Sequence, residues 1–211
     1  MDAATDWVAD TSNGGVRALD FDAVNDRVIA GATPTGSLAA GALSFWVYPR
    51  TDISRKYHLI YTNNSTNGLY VYVSTVGGLG QAFTIAIGAG SYPKRSTSGT
   101  NCTGDAWNHA LFTWSANTVY FYLNGSAIGS AAFPNDPVFV ATTTIAGPLS
   151  GNAEILNGRM DDIRMFDVSL DASDIAYLYN SGNGRGIIVE SPSIPSAIYH
   201  PFASLKHPLT F

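Results

Sequence analysis

The sequence predicts an all-β protein: an antiparallel β-sandwich with one short helix and an extended C-terminal tail. Short runs of alternating apolar and polar residues, separated by Gly, Asn, Ser and Pro, recur along most of the 211 residues. Fourteen of the sixteen acidic residues are Asp, a residue that favours turns and caps over helix surfaces. Hydrophobic content of 45% with only 13% charge describes a chain able to bury a core.

The strands follow in order. In LSFWVYP, Leu43, Phe45 and Val47 share one face; in GLYVYVST, Leu69, Val71 and Val73 do; in FTIAIG, Phe83, Ile85 and Ile87 do. HALFTWS and TVYFYLNG are joined by Ala116-Asn117, read as a hairpin turn, and Asn124-Gly125 is the strongest turn signal in the chain. Trp46, Trp107 and Trp114 are large enough that at least two are expected in the core. VSLDASDIAYLYNSG predicts the one helix, with Ser169 or Asp171 as cap, Ile175 and Leu178 on one face, and Gly182 as its stop, placed to plug one end of the sandwich. Residues 1–186 are assigned to the sandwich and 187–211 to the tail, where Pro192, Pro195, Pro201 and Pro208 prevent any long regular element.

Taken together, VRALDFDAVNDRVIAG, GALSFWVYP, WNHALFTWSANTVYFYLNGSAIG and NGRMDDIRMFDVSLDASDIAYLYNSG resemble, in order and spacing, the successive segments of the laminin-G-like, concanavalin A-like jelly roll, a group that includes pentraxins. The resemblance covers about Val16 to Gly182. It implies the sandwich but not one function, because this fold serves lectins, glycosidase accessory modules, adhesion domains and virion components alike. A composition rich in Asn, Ser, Thr and Gly, and a tail that begins GRGI and runs on as an extended segment, also resemble jelly-roll proteins that decorate bacteriophage capsids. That likeness implies a non-enzymatic virion protein on the capsid surface, made in the host cytoplasm, which cements the major capsid protein or other virion proteins as a homo-oligomer. The alternative is a lectin-like module, calcium-assisted or not, on a virion or cell surface.

Other classes fare worse. A net charge of −5 with three Lys and eight Arg offers no basic stripe for nucleic acid. No apolar run approaches the length of a membrane span, and the N-terminus lacks the pattern of a secretion signal. Concanavalin-like glycosidases have a Glu-x-Asp-x-x-Glu strand that places an acid and a nucleophile on one face, and this chain has none. Cys102 is the lone cysteine, and His109 in its apolar strand reads as structural, so no enzyme is expected. No cofactor is expected beyond calcium, for which Asp22, Asn25 and Asp26 in FDAVND and Asp161 and Asp162 in RMDD supply oxygen ligands. The competing role for those Asp side chains is to cap turns and pair with Arg27, Arg159 or Arg164. Tyr70 and Tyr72, and likewise Tyr120 and Tyr122, alternate with inward residues and predict an outward stripe for sugar or protein, or core packing if the faces are reversed. In the tail, Ile194, Tyr199, Phe202, Leu205, Leu209 and Phe211 are the expected anchors, either on the chain's own sandwich or on a neighbour.

Overall fold

The computed structural model describes residues 7–9, 17–30, 36–50, 57–62, 68–74, 82–87, 94–96, 102–132, 135–139, 142–148, 154–184 and 209–210. The strands are β1 (Trp7–Ala9), β2 (Arg17–Asp22), β3 (Val28–Ala30), β4 (Gly36–Ser37), β5 (Gly41–Pro49), β6 (Tyr57–Thr62), β7 (Leu69–Ser74) and β8 (Ala82–Ile87). They continue as β9 (Lys94–Ser96), β10 (Asn108–Ser115), β11 (Thr118–Leu123), β12 (Ser126–Ala132), β13 (Val138–Phe139), β14 (Thr143–Ile145), β15 (Asn157–Phe166) and β16 (Leu209–Thr210), with one helix, α1 (Ala172–Tyr179). Sheet A runs β1-β2-β15-β5-β10-β11-β12, with β16 also on β15; sheet B runs β3-β14-β6-β7-β8-β9; β4 and β13 form a separate pair. All described pairings are antiparallel.

Alternation decides what each sheet buries. Leu43, Phe45 and Val47 of β5, Phe112 and Trp114 of β10, and Val119 and Phe121 of β11 join Leu69, Val71 and Val73 of β7 in one core. Phe112 sits at its centre, with ring centroids 6.1 Å from Phe45 and 5.7 Å, edge-on, from Phe121. Each such ring removes enough apolar area from water to contribute about 2–3 kcal/mol. Trp114 and Trp46 are buried, on opposite faces of sheet A, while Trp107 is half-buried.

The turns form where their residues tolerate them. Ala116 and Asn117 carry φ of 47° and 61°, and Asn124 and Gly125 carry 50° and 75°, the paired left-handed geometry that matches strand twist in a tight hairpin.

Helix α1 starts at Asp171, whose carboxylate accepts from the N–H groups of Ser173 and Asp174 while Asp174 accepts from the Asp171 N–H. The chain leaves the helix through Asn180 and Ser181, both at positive φ, two residues ahead of the expected stop at Gly182. Asn180 replaces glycine there because its short polar side chain tolerates the left-handed region and donates to the Gly184 carbonyl. Nor does α1 plug an end of the sandwich: Ile175 and Leu178 pack on Ala42, Leu111, Phe166 and Leu170, on the outer face of sheet A.

β15 has ten residues, but β2 pairs only with Asn157–Met160. β16 takes the edge beyond, with Thr210 opposite Arg164 and Leu209 opposite Met165, and so gives partners to backbone groups that β2 leaves open. The expected anchors Ile194, Tyr199, Phe202, Leu205 and Phe211 lie outside the described residues, as does the side chain of Leu209.

Candidate functional site

The outer face of sheet A carries most of the polar and aromatic side chains that alternate out of the core. Ser44, Trp46 and Tyr48 of β5 lie beside His109 and Leu111 of β10 and beside Arg159, Asp161 and Arg164 of β15, as the strand registers require. Along this face lie three neighbouring groups.

The first is a half-exposed aromatic and arginine cluster. Tyr48 and Trp107 meet edge to face at 5.8 Å, and the Arg159 guanidinium lies over the Tyr48 ring, 5.5 Å from its centroid. Asp20 accepts two hydrogen bonds from Arg50 Nη2, at 2.7 and 2.9 Å, and a third from Arg159 Nε at 3.4 Å. Arg50 Nη1 also donates to Asn157 Oδ1 and to the Phe21 carbonyl. The loop that presents Trp107 is held from both sides. Buried Asn108 accepts from the Thr103 N–H and donates to the Thr103 and Ala106 carbonyls, while the Asp105 N–H donates to the Pro49 carbonyl. Two rings and two guanidiniums are thus fixed at a surface that solvent reaches: Arg50 and Arg159 are 34% and 31% exposed in their side chains. Such a surface can stack on a sugar ring and donate to its hydroxyls with little ordering cost.

The second group is sealed. His109 is 1% exposed, its Nε2 lies 2.8 Å from Ser44 Oγ, and its ring packs against Trp46 and Tyr179. Burial, and secondarily the charge of Arg164, pushes its pKa down to about 3, so the ring is neutral across the physiological range. Ser44 is 2% exposed, so this pair has the atoms of a nucleophile and base but no access for substrate. The third group is the apolar floor beneath α1, with Tyr122 and Tyr177 at its margin.

The sequence-derived candidates distribute unevenly. Tyr70 and Tyr72 do face away from the main core, but they are 7% and 6% exposed and form a small cluster of their own, so they are not an open stripe. Tyr122 packs against the helix-covered floor, and only Tyr120, 44% exposed, presents a broad surface to solvent. Alternation alone does not reveal that Tyr122 borders the floor beneath α1 or that Tyr70 and Tyr72 are buried.

The acidic candidates form two separate groups. Asp22 Oδ1 accepts from the Val24 N–H and Asp26 Oδ2 from the Asp22 N–H, which ties the β2–β3 turn in which Asn25 stands exposed. Asp162 binds Arg164 at 2.6 Å, and Asp161 Oδ1 accepts from the Asp162 N–H. Asp22 stands opposite Asn157, four residues from Asp161 along β15, which corresponds to about 13 Å. The structure therefore does not bring the five candidates into one calcium shell, and no three His, Cys, Asp or Glu side chains converge among the described residues.

Tyr48 and Arg50 escaped the sequence reading, and Arg159 entered it only as an ion-pair partner. Alternation places Tyr48 outward, but nothing local announces that β2, β15 and β5 are neighbours.

A family model described as Laminin_G_3, Concanavalin A-like lectin/glucanases superfamily, matches residues 22–176. No curated protein sequence matches. Among solved structures, the chain is similar to the heptameric SAP-like pentraxin from Limulus polyphemus, with a TM-score of 0.60, 14% identity, and 81% of this chain and 86% of the pentraxin covered. It is similar to domain 4 of AbnA, a GH43 extracellular arabinanase from Geobacillus stearothermophilus, in complex with arabinotriose, with a TM-score of 0.65, 14% identity and 85% and 80% covered. The binding domain of Paraclostridial Mosquitocidal Protein 1 gives a TM-score of 0.65 at 18% identity, with 84% of this chain but only 46% of that one covered. At these identities the likeness is one of fold.

Proposed function

This chain belongs to the Laminin_G_3 family of the concanavalin A-like lectin/glucanase superfamily, and we propose that within it the protein is a non-enzymatic, lectin-like binding module for an oligosaccharide. The observation that carries this reading is the half-exposed Tyr48, Trp107 and Arg159 surface, braced by Asp20 and Arg50. Its rings are fixed before a ligand arrives, and its carboxylate is engaged by two guanidiniums, an arrangement for binding rather than proton transfer. The arabinotriose complex of the AbnA domain supports the class of ligand by analogy of fold alone.

A glycan array followed by titration of the retained sugars tests it. Trp107→Ala, with native circular dichroism, is expected to weaken retention about tenfold, the loss of one aromatic stacking contact. Absence of binding to any glycan by the unmodified protein refutes the reading.

A second reading is a capsid decoration protein that contacts the major capsid protein and self-associates. It is favoured by Tyr120, exposed beside the uncharged strand β12, because tyrosine is among the residue types enriched at protein interfaces. Co-sedimentation with phage capsids, before and after removal of residues 187–211, separates it from the lectin reading, which expects no capsid binding.

A further inference from the structure

The sealed group beside the proposed binding surface contains a buried histidine for which that surface has no use. We infer that His109 is an acid-sensitive latch: protonation of its ring releases α1 from the outer face of sheet A.

The geometry makes the closed state incompatible with a charged ring. Tyr179, the last residue of α1, stacks over both His109 and Trp46, at 5.9 and 6.0 Å, while those two rings lie 5.1 Å apart. Gly125 permits this lid: a β-carbon there would come within 2.5 Å of Tyr179 Cδ1, and its φ of +75° suits glycine. His109 Nε2 meets Ser44 Oγ, but Nδ1 is buried with no hydrogen-bond partner, as is Trp46 Nε1. Whichever tautomer is present, an imidazolium carries N–H on both nitrogens, and one of them would be a charged donor with nothing to accept it.

Among the described residues, the groups around the ring do not favour its charged form. β5 offers Ser44 and Trp46, and the turn after β11 offers Asn124, whose Oδ1 accepts from the His109 backbone N–H. α1 offers the Tyr179 phenol ring. All the charged groups come from β15: Arg164, which opposes protonation, Asp162, which is bound to Arg164, and Asp161, which caps the Asp162 N–H.

The sign follows from linkage. The closed ring takes a proton only near pH 3, whereas a ring freed by departure of α1 takes it near 6.5. Between those values only the open form binds the proton, so acid favours opening, and the effect grows as pH falls from 6.5 towards 3. From pH 7 to pH 5 the opening equilibrium rises about 25-fold. The helix is the element to yield, since it has eight residues and buries only Ile175 and Leu178. Its departure uncovers Ala42, Leu111, Phe166 and Leu170.

Hydrogen exchange by mass spectrometry at pH 7 and pH 5, corrected for intrinsic rates, reads this directly. In the unmodified protein a peptide spanning 172–182 is expected to lose protection about 25-fold, while a peptide from β10 and β11 keeps its own. His109→Gln, which retains a partner for Ser44 but cannot titrate, is expected to change less than twofold. An unchanged helix in the unmodified protein, or an equal loss in His109→Gln, overturns the proposal. Should that variant not fold, ring-nitrogen NMR of the unmodified protein decides: His109 neutral in the closed state at pH 5 supports the latch, and titration near 6.5 with α1 still docked overturns it.

Discussion

Replacing Gly41 with alanine should damage the core out of proportion to one methyl group. Gly41 stands opposite Trp114 in the β5–β10 ladder, and a β-carbon at 41 would lie 2.4 Å from Trp114 Cζ2, 2.8 Å from its Cε2 and 2.9 Å from the Phe166 carbonyl oxygen. Ordinary carbon contacts are about 3.5–4.0 Å, so the indole must retreat by about 1 Å, and the added β-carbon also crowds the Phe166 carbonyl. Trp114 is 1% exposed and donates from Nε1 to the Leu38 carbonyl at 3.0 Å, a bond that the displacement would strain or break. Overpacking costs about 1–3 kcal/mol and the hydrogen bond about 1 kcal/mol more, so a loss of about 2–4 kcal/mol is expected. For a domain of this size that is a fall of about 4–16 °C in Tm. Guanidinium unfolding followed by tryptophan fluorescence measures it, with Trp114→Phe in the Gly41→Ala background as a second arm. If the clash is the cause, the two changes together cost less than their sum. A Gly41→Ala loss below about 0.5 kcal/mol, or strict additivity, would refute the reasoning.

Two further outcomes are expected. Burial raises the Cys102 thiol to about 12, so the native protein should not react with a thiol reagent at pH 8, whereas the chain in denaturant should react fully; rapid native labelling would contradict the packing around it. The Asp171 carboxyl is held below its ordinary value, chiefly by the Ser173 hydroxyl and the backbone N–H groups of Asp174 and Ser173, so its contribution is present above about pH 4 and is lost as pH falls through the lowered value. Asp171→Ala should therefore speed amide exchange in α1 at neutral pH while leaving β10 and β11 unchanged, and equal acceleration in both would show that the cap is not local.

Much of the sandwich is written in short-range signals. The alternation of Leu43, Phe45 and Val47 assigned the inner face of β5 correctly, as did Leu69, Val71 and Val73 for β7. Asn124-Gly125 announced its turn because few other dipeptides tolerate two positive φ angles. Asp171 announced a helix start because a short carboxylate can reach the free N–H groups. The exit through Asn180 was less legible, since asparagine and glycine compete for the same conformation.

The surface chemistry behaved differently. Tyr70 and Tyr72 occupy the face that alternation predicts, yet they are buried, because period two distinguishes the two faces of a strand and not what covers them. The same limit hid the seat of α1. Ile175 and Leu178 define an apolar stripe, but only the fold supplies Leu111 and Phe166 beneath it.

By itself, then, the sequence determined the strands, their inward faces, the tight turns and the capped helix, since each depends on residues within a few positions of one another. Tertiary structure alone decided the candidate binding surface. Asp20 and Arg159 are 139 residues apart in the chain, and they meet because β2 and β15 pair and β5 lies alongside. Strand order follows from the packing of the whole core, and no local pattern carries it. For that reason the Tyr48 and Trp107 platform and the His109 latch became visible only once the sheets were assembled.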